Sequence, residues 1–509
     1  MSRSRPALAL AALLVAAAGS AGAQVSGTNI LEFQNGNIPF TLPENRWDLY
    51  EQLNLEYRRE KLQLGLRFES DRSSDDSYPY DLVTQRFAAW STDDLRFRVG
   101  NFYSILGRGL LHRSFELPGV VLDQPGLRSR YAPSRDVDGA LVEARHGRVA
   151  ALALAGSANV GNTSPGLEPV GLERYSGEIL GGQVAVEFAG GGQVGAGYLR
   201  DTGGGATSRE YGTGFAAIDL LQLAGVSAVS LPVYLEQAIG QADFGDWWRF
   251  DTGEGTPHAL YAAANLIVGG WALSAEWKDY HRFRLGTNDP PSLVREQSWS
   301  LLNRATHVLD ADTEQGFQLE GTGSLPGGVD VTANLSRSDG SPPGRTARFE
   351  EHYLELHVAA PADNRWEAGV FFDRGRDEFV FVRDREAFGL NTTVRLSSLL
   401  SVTLDLERLD ATRGPESFTD FYYAATLARA GTASLSLVME RTSDPQEQPD
   451  EPDGRYRRFL AGVGSVRLAE GHDMSLSYGS RRGGRACTAG TCYEVLSFEG
   501  LEVRLTSRF

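Results

Sequence analysis

The chain closes with FEGLEVRLTSRF, residues 498–509. Leu501, Val503, Leu505, Ser507 and Phe509 fall at intervals of two, the side-chain period of a β-strand, so the segment has one mainly apolar face that ends on an aromatic ring. The terminus of a soluble domain frays and has no reason to keep such a pattern. A strand that must hold its register to the last residue points to a sheet closed on itself.

The same alternation recurs upstream. Leu62, Leu64, Leu66 and Phe68 oppose Gln63, Arg67 and Glu69, and Leu400, Val402, Leu404 and Leu406 oppose Ser401, Thr403, Asp405 and Glu407. Trp271, Leu273, Ala275 and Trp277 oppose Ser274, Glu276 and Lys278. Each strand therefore has a greasy face and a charged one. A sandwich would bury the greasy face against a second sheet, whereas an outer-membrane barrel turns it to lipid.

The connections decide between these. Short turns at 58–61, 92–94, 146–148, 190–192, 397–398, 430–431 and 469–471 alternate with longer polar stretches at 70–81, 103–136, 159–173, 240–257, 283–312, 442–454 and 481–492. Short periplasmic turns and long extracellular loops are the asymmetry of a membrane barrel. The landmarks predict an all-β fold, a large transmembrane antiparallel β-barrel of the bacterial outer membrane with about 24 strands, 22 to 26 being acceptable. One of these strands is placed at 223–238 and the last at 493–509.

The beginning of the chain agrees. Arg3 and Arg5 precede an apolar stretch from Ala7 to Ala18 and the small residues Ala21, Gly22 and Ala23, so residues 1–23 read as a secretory signal peptide. Residues 24–46 are then a first strand or a small plug, and residues 47–509 the barrel. Loss of Arg3 and Arg5 takes the formal charge from −17 to about −19, which argues against nucleic acid as a partner. Acidic stretches such as 69–81 read as a solvated extracellular face, and the tryptophans, including the Trp247–Trp248 pair, as anchors at the membrane edge.

Closure lets every backbone polar group pair within the protein. A barrel of this size encloses a wide space, either aqueous or filled by folded-in loops. The 103–136 connection is the candidate for controlling passage. If Leu95, Phe97 and Val99 face lipid, Arg96, Arg98 and Gly100 face inward, and Arg108, His112, Arg113, Arg128, Arg130 and Arg135 add positive charge in a segment able to enter the lumen. Such a basic constriction would favour anions, and a loop packed on acidic wall residues for structural reasons is the alternative.

The stretch VGNFYSILGRGLLHRSFE, residues 99–116, resembles the G-N-F-Y-x-x-x-G-x-G-L signature of a porin-like family of outer-membrane proteins, matched by Gly100, Asn101, Phe102, Tyr103, Gly107, Gly109 and Leu110. The resemblance implies a barrel and brings no substrate with it. The outward row Leu501, Val503, Leu505 and Phe509 resembles the C-terminal signal read by the barrel assembly machinery.

Cys487 and Cys492 enclose a short loop in an exported chain, the setting of a local disulfide, and no metal or cofactor is expected. Neither G-x-S-x-G nor H-E-x-x-H occurs and none of the 8 histidines has a recognisable nucleophile setting, so an enzyme is not expected. An energy-coupled importer would need a long N-terminal plug domain, for which there is no room. The expectation is a porin-like channel for passive, anion-favouring diffusion of small hydrophilic solutes, in contact with outer-membrane lipid and lipopolysaccharide. The alternative is a non-conducting barrel subunit of a secretion, motility or surface-attachment complex with an unidentified protein partner.

Overall fold

The computed structural model describes residues 23–39, 41, 44–75, 78–161, 163–188, 191–202, 208–226, 229–241, 256–360, 365–447, 456–488 and 490–509. The leader, residues 1–22, and the Trp247–Trp248 pair lie outside them.

The sheet contains 24 strands, and the first, Ala23–Asn37, pairs antiparallel both with Arg46–Arg59 and with the last, Phe498–Arg508. That double pairing closes the barrel and leaves the sheet no edge. At the seam Leu31 faces Leu505 and Phe33 faces Val503, so the outward row of the final strand continues around the wall. The backbone of Phe509 exchanges two hydrogen bonds with Gly27, which fixes the terminus at the short-turn end.

Alternation sets the two faces. Leu62, Trp90, Leu95, Phe97, Val99, Leu273, Trp277, Leu404 and Leu406 are exposed and form the apolar outer band. Trp90, Trp271 and Trp366 stand beside the short turns, where an aromatic girdle meets the membrane surface.

Two segments depart from the expectation. The strand expected over 223–238 begins later and runs Pro232–Gln241, after a short helix, Leu220–Leu223, that overlaps the expectation only at its last residue. The Asp219 carboxylate accepts from the Leu221 and Gln222 amides, which caps a helical turn, and Pro232 with no amide hydrogen is suited to the first strand position. The expected strand 493–509 is divided, with Thr491–Val495 pairing back on Gly484–Thr488 before the wall strand begins at Phe498.

Inside, the barrel is filled over much of its section. Wall residues Leu141, Leu154, Ile179, Leu199, Ala238 and Ala259 pack with Leu106, Leu110 and Leu111 in one apolar cluster, and Trp299, Leu301 and Leu302 pack with Tyr353, Phe371 and Leu409 in a second.

Candidate functional site

Three segments from the long-loop end enter the lumen and hold one another. The first, 103–136, leaves the strand Leu95–Phe102 at Gly100, whose φ of +88° and whose approach to the Arg86 carbonyl, 2.1 Å from where a Cβ would stand, admit only glycine. Asn101 then accepts from the Arg86 amide at 2.7 Å and donates to Asp136 at 2.6 Å, tying the start of the segment to its end. Phe102 is fully buried and the Tyr103 hydroxyl accepts from Gln85 at 2.6 Å.

Beyond this hinge a small hairpin pairs Ile105 with Arg113 and Leu106 with His112, with Gly107 and Gly109 at its tip. The tip crosses to the far wall. The Gly107 amide donates to Gln183 Oε1 at 2.8 Å and the Arg108 amide to Glu236 Oε2 at 2.7 Å. Tyr234 and Thr213 hydroxyls also donate to the buried Glu236 carboxylate, at 2.6 and 3.2 Å. Leu110 is completely buried. Every residue of the 100–110 stretch that carries the family resemblance thus builds or anchors this inward turn.

The second segment, 282–314, carries the helix Ser300–Arg304, whose Ser300 and Leu301 amides donate to Glu407 at 2.9 and 2.8 Å. His307 is fully buried between Asp377 and Glu314, at 2.9 and 3.1 Å, and stacks on Phe349. Burial alone would lower its pKa, but the Asp377 and Glu314 carboxylates outweigh this and push it up to about 9. Burial likewise opposes ionisation of Glu314, yet Lys278 and His307 hold its carboxyl below the usual range.

The third segment is the hairpin Gly484–Thr488 and Thr491–Val495, closed by the Cys487–Cys492 disulfide. The three interlock: Asn288 donates to the Leu110 carbonyl at 3.1 Å, Arg113 pairs with Asp289 at 2.8 Å, and Asn303 exchanges two hydrogen bonds with the backbone of Cys487 at 2.9 and 2.8 Å.

The basic residues singled out from sequence are distributed differently from a bare ring. Arg130, fully buried, meets Glu32 at 2.5 Å and Asp123 at 3.5 Å, and Arg128 lies 3.8 Å from Asp48. Arg96 pairs with Glu143 at 3.2 Å, Arg98 lies 3.6 Å from the centre of the Phe87 ring, and Arg108 lies 5.0 Å from that of Tyr234. Arg135 covers Phe115 at 5.4 Å. Burial drops the pKa of His112 to about 4, so it is neutral at neutral pH. The carboxylates Glu32, Asp48, Glu236 and Asp289 were missed as partners. The available signal was apolar character on both faces of 149–158 and 258–267, the mark of a wall packed on its inner side too.

Below the hairpin tip, on the short-turn side, a cavity of about 620 Å³ remains. Ile105, Gly107 and Arg108 line it together with Arg96, Arg145, Asp93, Glu143, Gln183 and Tyr234. Its surface is charged and of mixed sign.

A family of unknown function (DUF6029) matches residues 8–138. No curated protein matches the chain. The closed sheet and its apolar outer band make this a transmembrane β-barrel of the outer membrane. Among solved structures the chain is similar to the translocation pore of the P pilus usher PapC, at 12% identity over 96% of this chain and 99% of that one, with a TM-score of 0.44. It is also similar to OccK5 (OpdH) of Pseudomonas aeruginosa, at 14% identity over 76% and 98% with a TM-score of 0.39. A BenF-like porin of Pseudomonas fluorescens Pf-5 aligns at 9% identity over 73% and 97% with a TM-score of 0.42.

Proposed function

We propose that the barrel carries small hydrophilic solutes passively across the outer membrane, and that the 103–136 hairpin controls the passage. The supporting observation is the cavity of about 620 Å³ whose ceiling is the hairpin tip, held to the wall chiefly through Gln183 and Glu236. Passage is transport and not catalysis. The anion preference is expected to be weak, because Arg96, Arg108 and Arg145 line this vestibule together with Asp93, Asp94 and Glu143. Residues 1–23 are removed on export, and the outward row ending at Phe509 is what the barrel assembly machinery reads.

Planar-bilayer recording of the refolded mature barrel, with the reversal potential taken under a salt gradient, tests this. Discrete openings with an anion preference that disappears on replacing Arg96, Arg98 and Arg108 are expected. A demonstrably folded barrel without openings defeats the channel reading. The interlocking of three infolded segments favours the second reading in that event, a non-conducting barrel subunit of a secretion, motility or surface-attachment complex, and co-purification would then identify its partner.

A further inference from the structure

The outer wall carries a belt of arginines just above the apolar band on the long-loop side, and most of them face a carboxylate. Arg348 meets Asp339 at 2.5 Å, Arg376 meets Glu350 at 2.7 Å and Arg408 meets Asp410 at 2.8 Å. Arg441 and Arg458 differ, because they stand directly opposite each other on neighbouring antiparallel strands. Like charges in that position repel. Among the described residues no carboxylate pairs with either, and Arg441 Nε makes no hydrogen bond. Arg441 instead lies 4.5 Å from the centre of the Tyr456 ring and 6.0 Å from that of Phe421.

Their height on the wall says what kind of anion would relieve the repulsion. One step down the same two strands Met439 faces Leu460, and Leu437 and Leu435 continue the exposed apolar face toward the short turns. Arg441 stands eight positions beyond Ala433, the start of its strand, about 26 Å along the strand and about 20 Å in height at a tilt of about 40°, and the outward apolar row ends with Met439 and Leu460 immediately below the arginine pair, so the pair marks the upper edge of the apolar band. An anion at that level with apolar surface beneath it is an amphiphile's headgroup. Two adjacent guanidinium forks suit the paired oxygens of a phosphate.

We propose that Arg441 and Arg458 form a binding site for the phosphate-bearing headgroup of an outer-leaflet membrane lipid, with its acyl chains lying over Leu437 and Leu460. The test is native mass spectrometry and thermal unfolding of the refolded mature barrel in lipid-free detergent, with lipid A, with dephosphorylated lipid A, or with inorganic phosphate. Lipid A is expected to bind and raise the melting temperature, the dephosphorylated lipid to do neither, and Arg441→Gln/Arg458→Gln to weaken binding by about tenfold. In lipid-free detergent Arg458→Gln should melt higher than the parent, since the repulsion is gone. The sign of that change keeps the test independent of any loss of fold, which heat-modifiable gel mobility reports separately. The proposal is overturned if the two lipids bind alike, if inorganic phosphate alone reproduces the rise in melting temperature, or if Arg458→Gln melts lower without lipid.

Discussion

A Cβ atom built on Gly107 would stand 2.1 Å from Glu236 Oε1, so a methyl group at the hairpin tip would have to displace the carboxylate that anchors it to the far wall. The same residue has a φ of +58°. Both constraints act where the hairpin tip meets the far wall.

Gly107→Ala should therefore lift the tip from Glu236. A non-glycine residue in the left-handed region costs about 1–3 kcal/mol even before the clash. The expected result is a larger or more frequently open conductance in planar bilayers, and an unchanged trace would show that the tip does not obstruct the path.

Removing the other partner should loosen the same contact without backbone strain. Glu236→Ala leaves the Arg108 amide and the Tyr234 hydroxyl without their acceptor, about 1–3 kcal/mol for each buried group left unsatisfied, while the Thr213 hydroxyl keeps the Gln237 carbonyl at 3.0 Å. Trypsin added to the folded barrel should then cleave after Arg108 faster than in the parent, and equal rates would mean that the hairpin is held elsewhere.

The 282–314 segment should loosen at alkaline pH. His307 has its pKa raised from 6.5 to about 9, so its contribution is complete below about pH 6.5 and is lost as pH climbs through about 9. Each pH unit in that window removes at most about 1.4 kcal/mol. Glu314 runs the other way: its pKa is lowered, and its contribution is lost only in acid. Stability measured from pH 6 to 10 should fall on the alkaline side in the parent and flatten there in His307→Gln. Parallel profiles would remove His307 as the cause.

Opening the disulfide should release the third segment selectively. For a loop this small the chain-entropy effect is about 2 kcal/mol. In Cys487→Ser/Cys492→Ser, amide exchange across 300–306 should quicken, because Asn303 exchanges its two hydrogen bonds with Cys487, while wall strands keep their protection. Uniform quickening would instead indicate that the whole barrel had been weakened.

How much of this was legible follows from where each interaction lives in the chain. The outward face is a local property, written at intervals of two in Leu62–Phe68, Leu400–Leu406 and Leu501–Phe509, and the wall is built on it. The closure of the sheet was legible too, because alternating short and long connections and an aromatic final residue leave few other folds. The late start of the strand at Pro232 was missed because the cap at Asp219 acts through backbone amides that hydropathy does not register. The lumen was hidden for a different reason. Arg130 meets Glu32 across 98 positions and Asn303 meets Cys487 across 184, and nothing within either neighbourhood names the other. A string of arginines therefore read as a basic constriction or as a loop packed on acidic wall residues, without naming the four carboxylates on distant strands and loops that lie against it or against the peptide between its members.

The disulfide hairpin has a consequence for how the molecule comes into being. Cys487 is almost entirely covered, and its hairpin lies inside the wall with the helix Ser300–Arg304 against it. The two sulfurs meet most freely before the three infolded segments have locked together, since Asn303 then closes over the Cys487 backbone. Oxidation before the lumen fills is therefore the expected order of assembly.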